Sequence, residues 1–327
     1  MPSSLYVHIP FCLKRCLYCD FVSGIYSPEK EIAYVSALTR EINDISADVP
    51  LKTLYIGGGT PTSLSIRALS DVITSIFRHF SFTGNYEATI EANPGTLSKE
   101  KLKVIKSSGI DRVSIGVQSF QEKELHCLGR MHSSLDAERA VALARDTGID
   151  NVSIDLIYGI PGQTEESLIN SLEKAVHLKP QHISAYELSI EKETPLSNDI
   201  SRGRLKLPDE ERIILMYEHT INYLESEGFL HYEISNFAIK GFPCRHNINY
   251  WDRGEYYGVG LGAHSFMKGM RYVNSGDLDE YIKNQSVMKR SVQEAERIDD
   301  NRELSEALFL GLRKTQGIPL ESFAETY

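Results

Sequence analysis

The chain has 327 residues, enough for one large core or for a core with a smaller appended unit, and its 45 acidic and 35 basic side chains give a formal charge of −10. That balance argues against a nucleic-acid footprint, which wants a net basic face. No secretory signal and no run of about 18 apolar residues is present, so no spanning helix is expected, and five cysteines, an odd number, point to a reducing cytoplasm and away from a disulfide scaffold.

Residues 5–9, 53–56, 86–91, 112–117, 152–156 and 182–188 are short β-rich runs that predict six strands. Helical patterns lie between them at 28–46, 66–77, 99–107, 134–146 and 165–177. The last opens on Thr164 as a cap, with Glu165 and Glu166 in its first turn. This is a βα repeat of the parallel kind, so the fold class is α/β. Periodicity alone leaves a doubly wound sheet and a barrel open. Polar features follow one strand after another: Cys12, then Gly57-Gly-Gly-Thr-Pro61, then Glu91, then Gln118, then Asp155. Parallel folds place their sites at the carboxyl ends of strands, and chemistry at five successive ends favours a barrel-like rim.

Past residue 188 the rhythm changes. A long helix is expected over 209–227, then an extended run over 229–235 and a Gly-, His- and aromatic-rich tract reaching 266. Charged helical regions follow at 277–286 and 294–315. The expected organisation is a core over 1–190, an appended region over 191–270, and a helical C-terminal region over 271–327.

Cys12, Cys16 and Cys19 carry the strongest signal, in a Cys-x3-Cys-x2-Cys spacing. Zinc would want a fourth ligand, for which His8 is the nearest candidate. A [4Fe–4S] cluster on three thiolates leaves one iron open to a small molecule, and this reading is preferred. Phe11, Tyr18 and Phe21 would shield it from solvent. Lys14 and Arg15 lie inside the loop. They could guide an electron donor or shape the local field, and a solvated face is the simpler account.

With Tyr18 before the third cysteine, this segment resembles the signature of the radical S-adenosylmethionine (SAM) superfamily. The resemblance implies a partial (β/α)6 barrel with an appended C-terminal α+β and helical region. It implies a [4Fe–4S] cluster on Cys12, Cys16 and Cys19 whose open iron chelates SAM, and an electron that cleaves the sulfonium to a 5′-deoxyadenosyl radical. The SAM contacts it implies are Tyr6, Gly58, Gly59, Thr60, Glu91, Gln118, Arg130 and Asp155; no separate catalytic residue is assigned.

Six motifs narrow the resemblance: Gly57-Gly-Gly-Thr-Pro, Glu91-Ala-Asn-Pro, Gly116-Val-Gln-Ser-Phe120, Leu128-Gly-Arg-Met-His132, Asp155-Leu-Ile-Tyr-Gly-Ile-Pro161 and Cys244-Arg-His-Asn-Ile-Asn-Tyr-Trp251. Together they are similar to the oxygen-independent coproporphyrinogen III oxidase group, and most of all to its heme-chaperone branch. Phe21 stands where the oxidase has a fourth cysteine, and the oxidase's N-terminal extension is missing. Both departures weigh against decarboxylation of coproporphyrinogen propionates, which is the alternative activity. The resemblance implies heme as cargo and a respiratory or heme-storage protein as acceptor. A flavodoxin or ferredoxin is an expected electron donor, and peripheral membrane contact is left open. His246 is the preferred axial ligand to heme, with Cys244 or Tyr250 as alternatives and a hydrogen-bonding core histidine as the rival account. Tyr250 and Trp251 would stack on the macrocycle and Arg245 would meet a propionate. Gly258-Val-Gly-Leu-Gly262 reads as a loop near the rim, and His264 as a packing residue. Family members usually continue into a small terminal domain, so a shortened C-terminus is expected.

Overall fold

A computed structural model describes residues 2–286 and 292–326. In chain order its strands are β1 (Ser4–Ile9), β2 (Phe11–Cys12), β3 (Gly24–Ile25), β4 (Leu51–Gly58), β5 (Phe82–Ala92), β6 (Arg112–Gln118), β7 (Asn151–Tyr158), β8 (His182–Glu187), β9 (Leu230–Glu233), β10 (Asn236–Ala238), β11 (Tyr257–Val259), β12 (His264–Met267), β13 (Met270–Asn274) and β14 (Val292–Arg297). The six expected strands are β1, β4, β5, β6, β7 and β8. They stand side by side in that order, all parallel, joined through helices that include Pro28–Asp44, Ile66–His79 and Glu165–His177. The strand order is open and unclosed, as a partial barrel requires.

The strand sequences alternate. Leu5, Val7, Ile9, Leu54, Ile56, Ile90, Val113, Ile115, Val152 and Ile154 are fully buried in one core with apolar residues of the helices. The intervening positions are polar and include Tyr55, Glu91, Arg112, Ser114, Asp155 and Ser184, which line a single cavity. Period-two patterning therefore gives a greasy convex face under the helices and a polar concave one. The helices begin where side chains satisfy their free N–H groups: Ser27, Ser65 and Ser98 cap three, and Ser133 with Asp136 and Thr164 with Ser167 form capping boxes.

The region past residue 190 is divided between a small sheet of its own, in the order β12-β13-β14, and the two edges of the main sheet. β10 and then β9 extend the main sheet antiparallel beyond β8, and β11 pairs in parallel with β1 at the opposite edge. Residue 190 thus marks the end of the βα repeat, and later chain completes both sheet edges. The glycine-rich tract expected as a loop supplies β11. An added Cβ at Gly258 would lie 1.8 Å from the His264 carbonyl oxygen, and Ser265 bonds both backbone groups of Gly258. Gly258→Ala is therefore expected to prise β11 from β12 and cost about 1–3 kcal/mol. Urea unfolding would test this, and an unchanged midpoint would contradict it.

The helix expected over 294–315 is corrected. β14 pairs antiparallel with β13, Arg271 opposite Glu296, and the helix runs only over Asp300–Gly311 after an Asp299 cap. Glu, Ala and Arg suggested a helix, but cross-strand pairing along an exposed edge decided the conformation. No helix among the described residues is long and apolar enough to cross a membrane.

Candidate functional site

A cavity of about 520 Å³ opens at the carboxyl ends of the parallel strands. Its lining includes Cys12, Cys16, Cys19, Gly58, Gly59, Thr60, Glu91, Gln118, Arg130 and Asp155. Ten of the twelve residues singled out in the sequence therefore meet in one place.

The cysteine loop is held at several points. β2 pairs with β3, placing Cys12 opposite Ile25. Farther along, the Leu17 N–H donates to the Leu128 carbonyl at 3.0 Å, and the Leu17 carbonyl accepts from the Leu196 N–H at 2.9 Å. Cys12 is buried, with its sulfur 3.6 Å from the Thr60 hydroxyl, while Cys16 and Cys19 are half-buried. An added Cβ at Gly59 would lie 3.0 Å from the Cys12 sulfur and 2.9 Å from the Phe11 carbonyl, so only glycine leaves this approach free. Arg130 donates from Nη1 to the Cys16 sulfur at 3.2 Å and from Nη2 to the Gly116 carbonyl. The thiols of Cys12 and Cys19 are raised above their ordinary range by burial. Among the described residues no three His, Cys, Asp or Glu side chains gather closely enough to hold a single metal ion.

The carboxylates Glu91 and Asp155 line the same cavity. Glu91 accepts from the Tyr55 hydroxyl at 2.8 Å and from the Gly58 N–H at 3.1 Å. Asp155 accepts from Ser114 at 3.0 Å and, more weakly, from Ser153 at 3.4 Å. Between β6 and β7, Gly116 pairs with Asp155 and Gln118 with Leu156, so Val117 is the extra residue of a bulge. Gln118 sits at φ 71°, a left-handed conformation that re-aims its side chain at the cavity.

Burial pushes Glu91 up to about 7, against the stabilising Tyr55 bond and with Asp155 adding to the rise. The folded protein thus keeps a proton that the unfolded chain has lost. Stability is full below the ordinary value of about 4.5, falls as the pH climbs toward 7, and is flat above it, by a few kcal/mol in all. Urea unfolding of cluster-free protein at about pH 5.5 and 7.5 should show that slope, and Glu91→Gln should flatten it. An equal slope in the variant would contradict the assignment.

Two expected residues lie outside the cavity lining. Tyr6 bonds His8 Nδ1 at 3.0 Å and stacks against Tyr55. His246 is fully buried in the helix Arg245–Trp251. Its Nδ1 is 2.8 Å from the Thr53 hydroxyl, its Nε2 is 2.9 Å from the Tyr250 hydroxyl, and its ring stacks on Tyr55. Burial pushes the imidazole down to about 3, with Arg112 adding to the shift. Both nitrogens are engaged, so the arrangement matches the rival account of a core histidine and presents no axial ligand. Cys244 is likewise fully buried, its thiol raised to about 12 by burial. Arg245 bonds the Asn85 carbonyl at 2.8 Å, and Trp251 lies under the Arg313 guanidinium. The neighbouring Asn247 is the one residue of that motif lining the cavity.

Sequence reasoning missed the cavity floor. Arg112, His182, Ser184 and Tyr186 line it. Burial works against the Arg112 charge, yet the net shift is upward, and Glu87 is the carboxylate among the neighbours that favour the guanidinium. The one available signal was the polar alternation within otherwise apolar strands.

A family model described as the Radical SAM superfamily matches residues 6–175. Among curated proteins, the heme chaperone HemW of Lactococcus lactis is 40% identical over 326 residues, covering 100% of this chain and 85% of the relative. HemW of Bacillus subtilis is 40% identical over 330 residues, covering 99% and 86%. HemW of Escherichia coli is 38% identical over 269 residues, covering 80% and 70%. Among solved structures, the coproporphyrinogen III oxidase HemN of Escherichia coli, a radical SAM enzyme, aligns with a TM-score of 0.86 at 23% identity, covering 99% of this chain and 78% of that one. At that identity the likeness is one of fold.

Proposed function

Because the chain belongs to the HemW heme-chaperone family of the radical SAM superfamily, we propose that it works in the cytoplasm, binding heme and passing it to an acceptor protein, with a [4Fe–4S] cluster on Cys12, Cys16 and Cys19 and SAM in the cavity beside it. One observation carries the cofactor reading: the three thiols share a single cavity with Glu91, Gln118, Arg130 and Asp155. The donor set fits. Soft thiolates suit iron–sulfur chemistry, and the Cβ-free rim at Gly59 allows close approach to Cys12. When bound, the cluster supplies an open coordination site and one electron at low potential.

The side chains have distinct tasks. Arg130 places a guanidinium on the Cys16 sulfur and so offsets thiolate charge. Glu91 is positioned by Tyr55 and Gly58 to accept from an amino group, and its elevated range lets it release a proton when a cation arrives. Asp155, oriented by Ser114, is an acceptor for a hydroxyl or amine farther along the cavity. Thiols that burial holds protonated must lose protons as metal binds, so loading should improve as the pH rises.

Reconstitution without oxygen tests the reading. Heme, SAM and a reductant are added, and heme retention, transfer to an apo-acceptor, 5′-deoxyadenosine and coproporphyrinogen decarboxylation are followed together. Retained and transferable heme without decarboxylation is the expected result. Robust conversion to protoporphyrinogen would favour the oxidase-like enzyme instead.

A further inference from the structure

A cavity of about 520 Å³ is the size of a pocket for one drug-sized ligand, for which about 300–1,000 Å³ is usual. Under the reading above it already holds a cluster and SAM. A tetrapyrrole must then extend beyond it, over a face that offers apolar area and cations together. In the helix Arg245–Trp251 the histidine is enclosed, as is Cys244 at its N-cap, so neither is offered to a ligand's iron.

The outer surface of the cysteine loop meets the requirement. Phe21 is 64% exposed, Ile25 58% and Leu13 46%, within a segment only 13 residues long from first to last. Most large apolar side chains of this protein are buried, so three exposed together on a loop tied down by β2 and β3 make an organised platform. Lys14 and Arg15 are both exposed in the same loop, and with Phe21 they also line the cavity that holds the thiols. Arg15 donates to the Cys19 carbonyl, and neither cation forms an ion pair among the described residues. Asp20 is the one carboxylate of the loop, so the segment is net positive on a chain of charge −10.

We infer that the outer face of the cysteine loop docks a planar tetrapyrrole, its macrocycle on Leu13, Phe21 and Ile25 and its two carboxylates on Lys14 and Arg15. This deepens the heme-chaperone reading and rests on it. Apolar area with paired cations complements a flat apolar ring carrying two carboxylates at one edge. The site puts cargo at the edge of the cavity that holds the thiols, since Lys14, Arg15 and Phe21 belong to both, and leaves one ring face open to an acceptor.

Anaerobic titration of hemin into cluster-loaded protein tests it, comparing wild type with the double variant Lys14→Glu/Arg15→Glu, with Ile25→Ser, and with the dimethyl ester of iron protoporphyrin. Iron content checks that the loop is intact. The charge-reversed variant should bind at least about tenfold more weakly, as expected for two lost charge-assisted contacts. Ile25→Ser should weaken binding severalfold while keeping its iron, which decides the matter if the double variant loses its cluster. The ester should bind wild type as poorly as hemin binds the double variant. Affinities within twofold of wild type for both variants would overturn the docking site while leaving the chaperone reading standing. In that case, slower cluster reduction by an acidic flavoprotein would assign the face to an electron carrier. Failure of wild type to bind hemin at all would remove both.

Discussion

Replacing Cys16 by serine is expected to strip the protein of iron and, with it, of SAM, while leaving the fold in place. A hydroxyl is a poor ligand for a soft metal centre, and three protein ligands leave no redundancy. Loss of partners one step removed from a metal commonly lowers affinity about 10–100-fold, so loss of a direct ligand should exceed that range. The fold should survive because Cys16 is half-buried and its loop is held by backbone bonds at Leu17 that serine keeps. The Arg130 guanidinium would lose a sulfur partner but retain the Gly116 carbonyl. Iron per chain, the cluster's charge-transfer absorbance and equilibrium dialysis of SAM measure the effect. Cys127→Ser is the control, since that thiol is outside the cavity lining and should change none of the three. Wild-type iron content in Cys16→Ser would sink the three-thiolate assignment.

The six parallel strands and the cavity rim were legible because both depend on local patterning. Apolar residues at every second position name the face that meets the helices, and a polar residue where a strand stops names the rim. That is why Cys12, Gly59, Glu91, Gln118 and Asp155 could be read together although they are far apart in the chain. The Gly116–Gln118 bulge was not legible, because nothing in Gly-Val-Gln shows that the partner strand skips a residue.

Elsewhere the decisive contacts join residues too distant in sequence for a pattern to show. β14 owes its conformation to β13, not to its own helix-forming composition. β11 is a strand because β1 offers it an edge some 250 residues earlier in the chain. The Cys244–Trp251 motif reads two ways for a similar reason. Histidine, cysteine, tyrosine and tryptophan in one short stretch suit a heme, but they suit a polar core just as well. Thr53, Tyr55 and Glu87 on the strands beneath take the histidine's Nδ1, ring face and backbone N–H, and Tyr250 of the same helix takes Nε2.

Glu87→Ala is accordingly expected to destabilise the protein by about 3–5 kcal/mol, the usual cost of removing one member of a buried charged set. Glu87 is 5% exposed and accepts from the Arg245 N–H at 3.0 Å and the His246 N–H at 3.1 Å, with the Cys244 thiol donating at 3.8 Å. It therefore satisfies the first turn of a helix that has no side-chain cap of its own. It is also among the groups holding Arg112 charged at the cavity floor. Alanine would leave one buried and one part-buried N–H group without their acceptor and a buried guanidinium with less compensation. Glu87→Gln keeps the shape and one acceptor, so it should cost less. Urea unfolding of both variants without cofactors gives the comparison, and a loss below about 1 kcal/mol for alanine would refute the role. The direction of the linkage also matters for function. Because Tyr55 stacks on His246 and bonds Glu91, loosening this helix should slacken Glu91 as well, and Glu87→Gln, if it folds, should bind SAM more weakly than wild type although residue 87 is no part of the cavity lining.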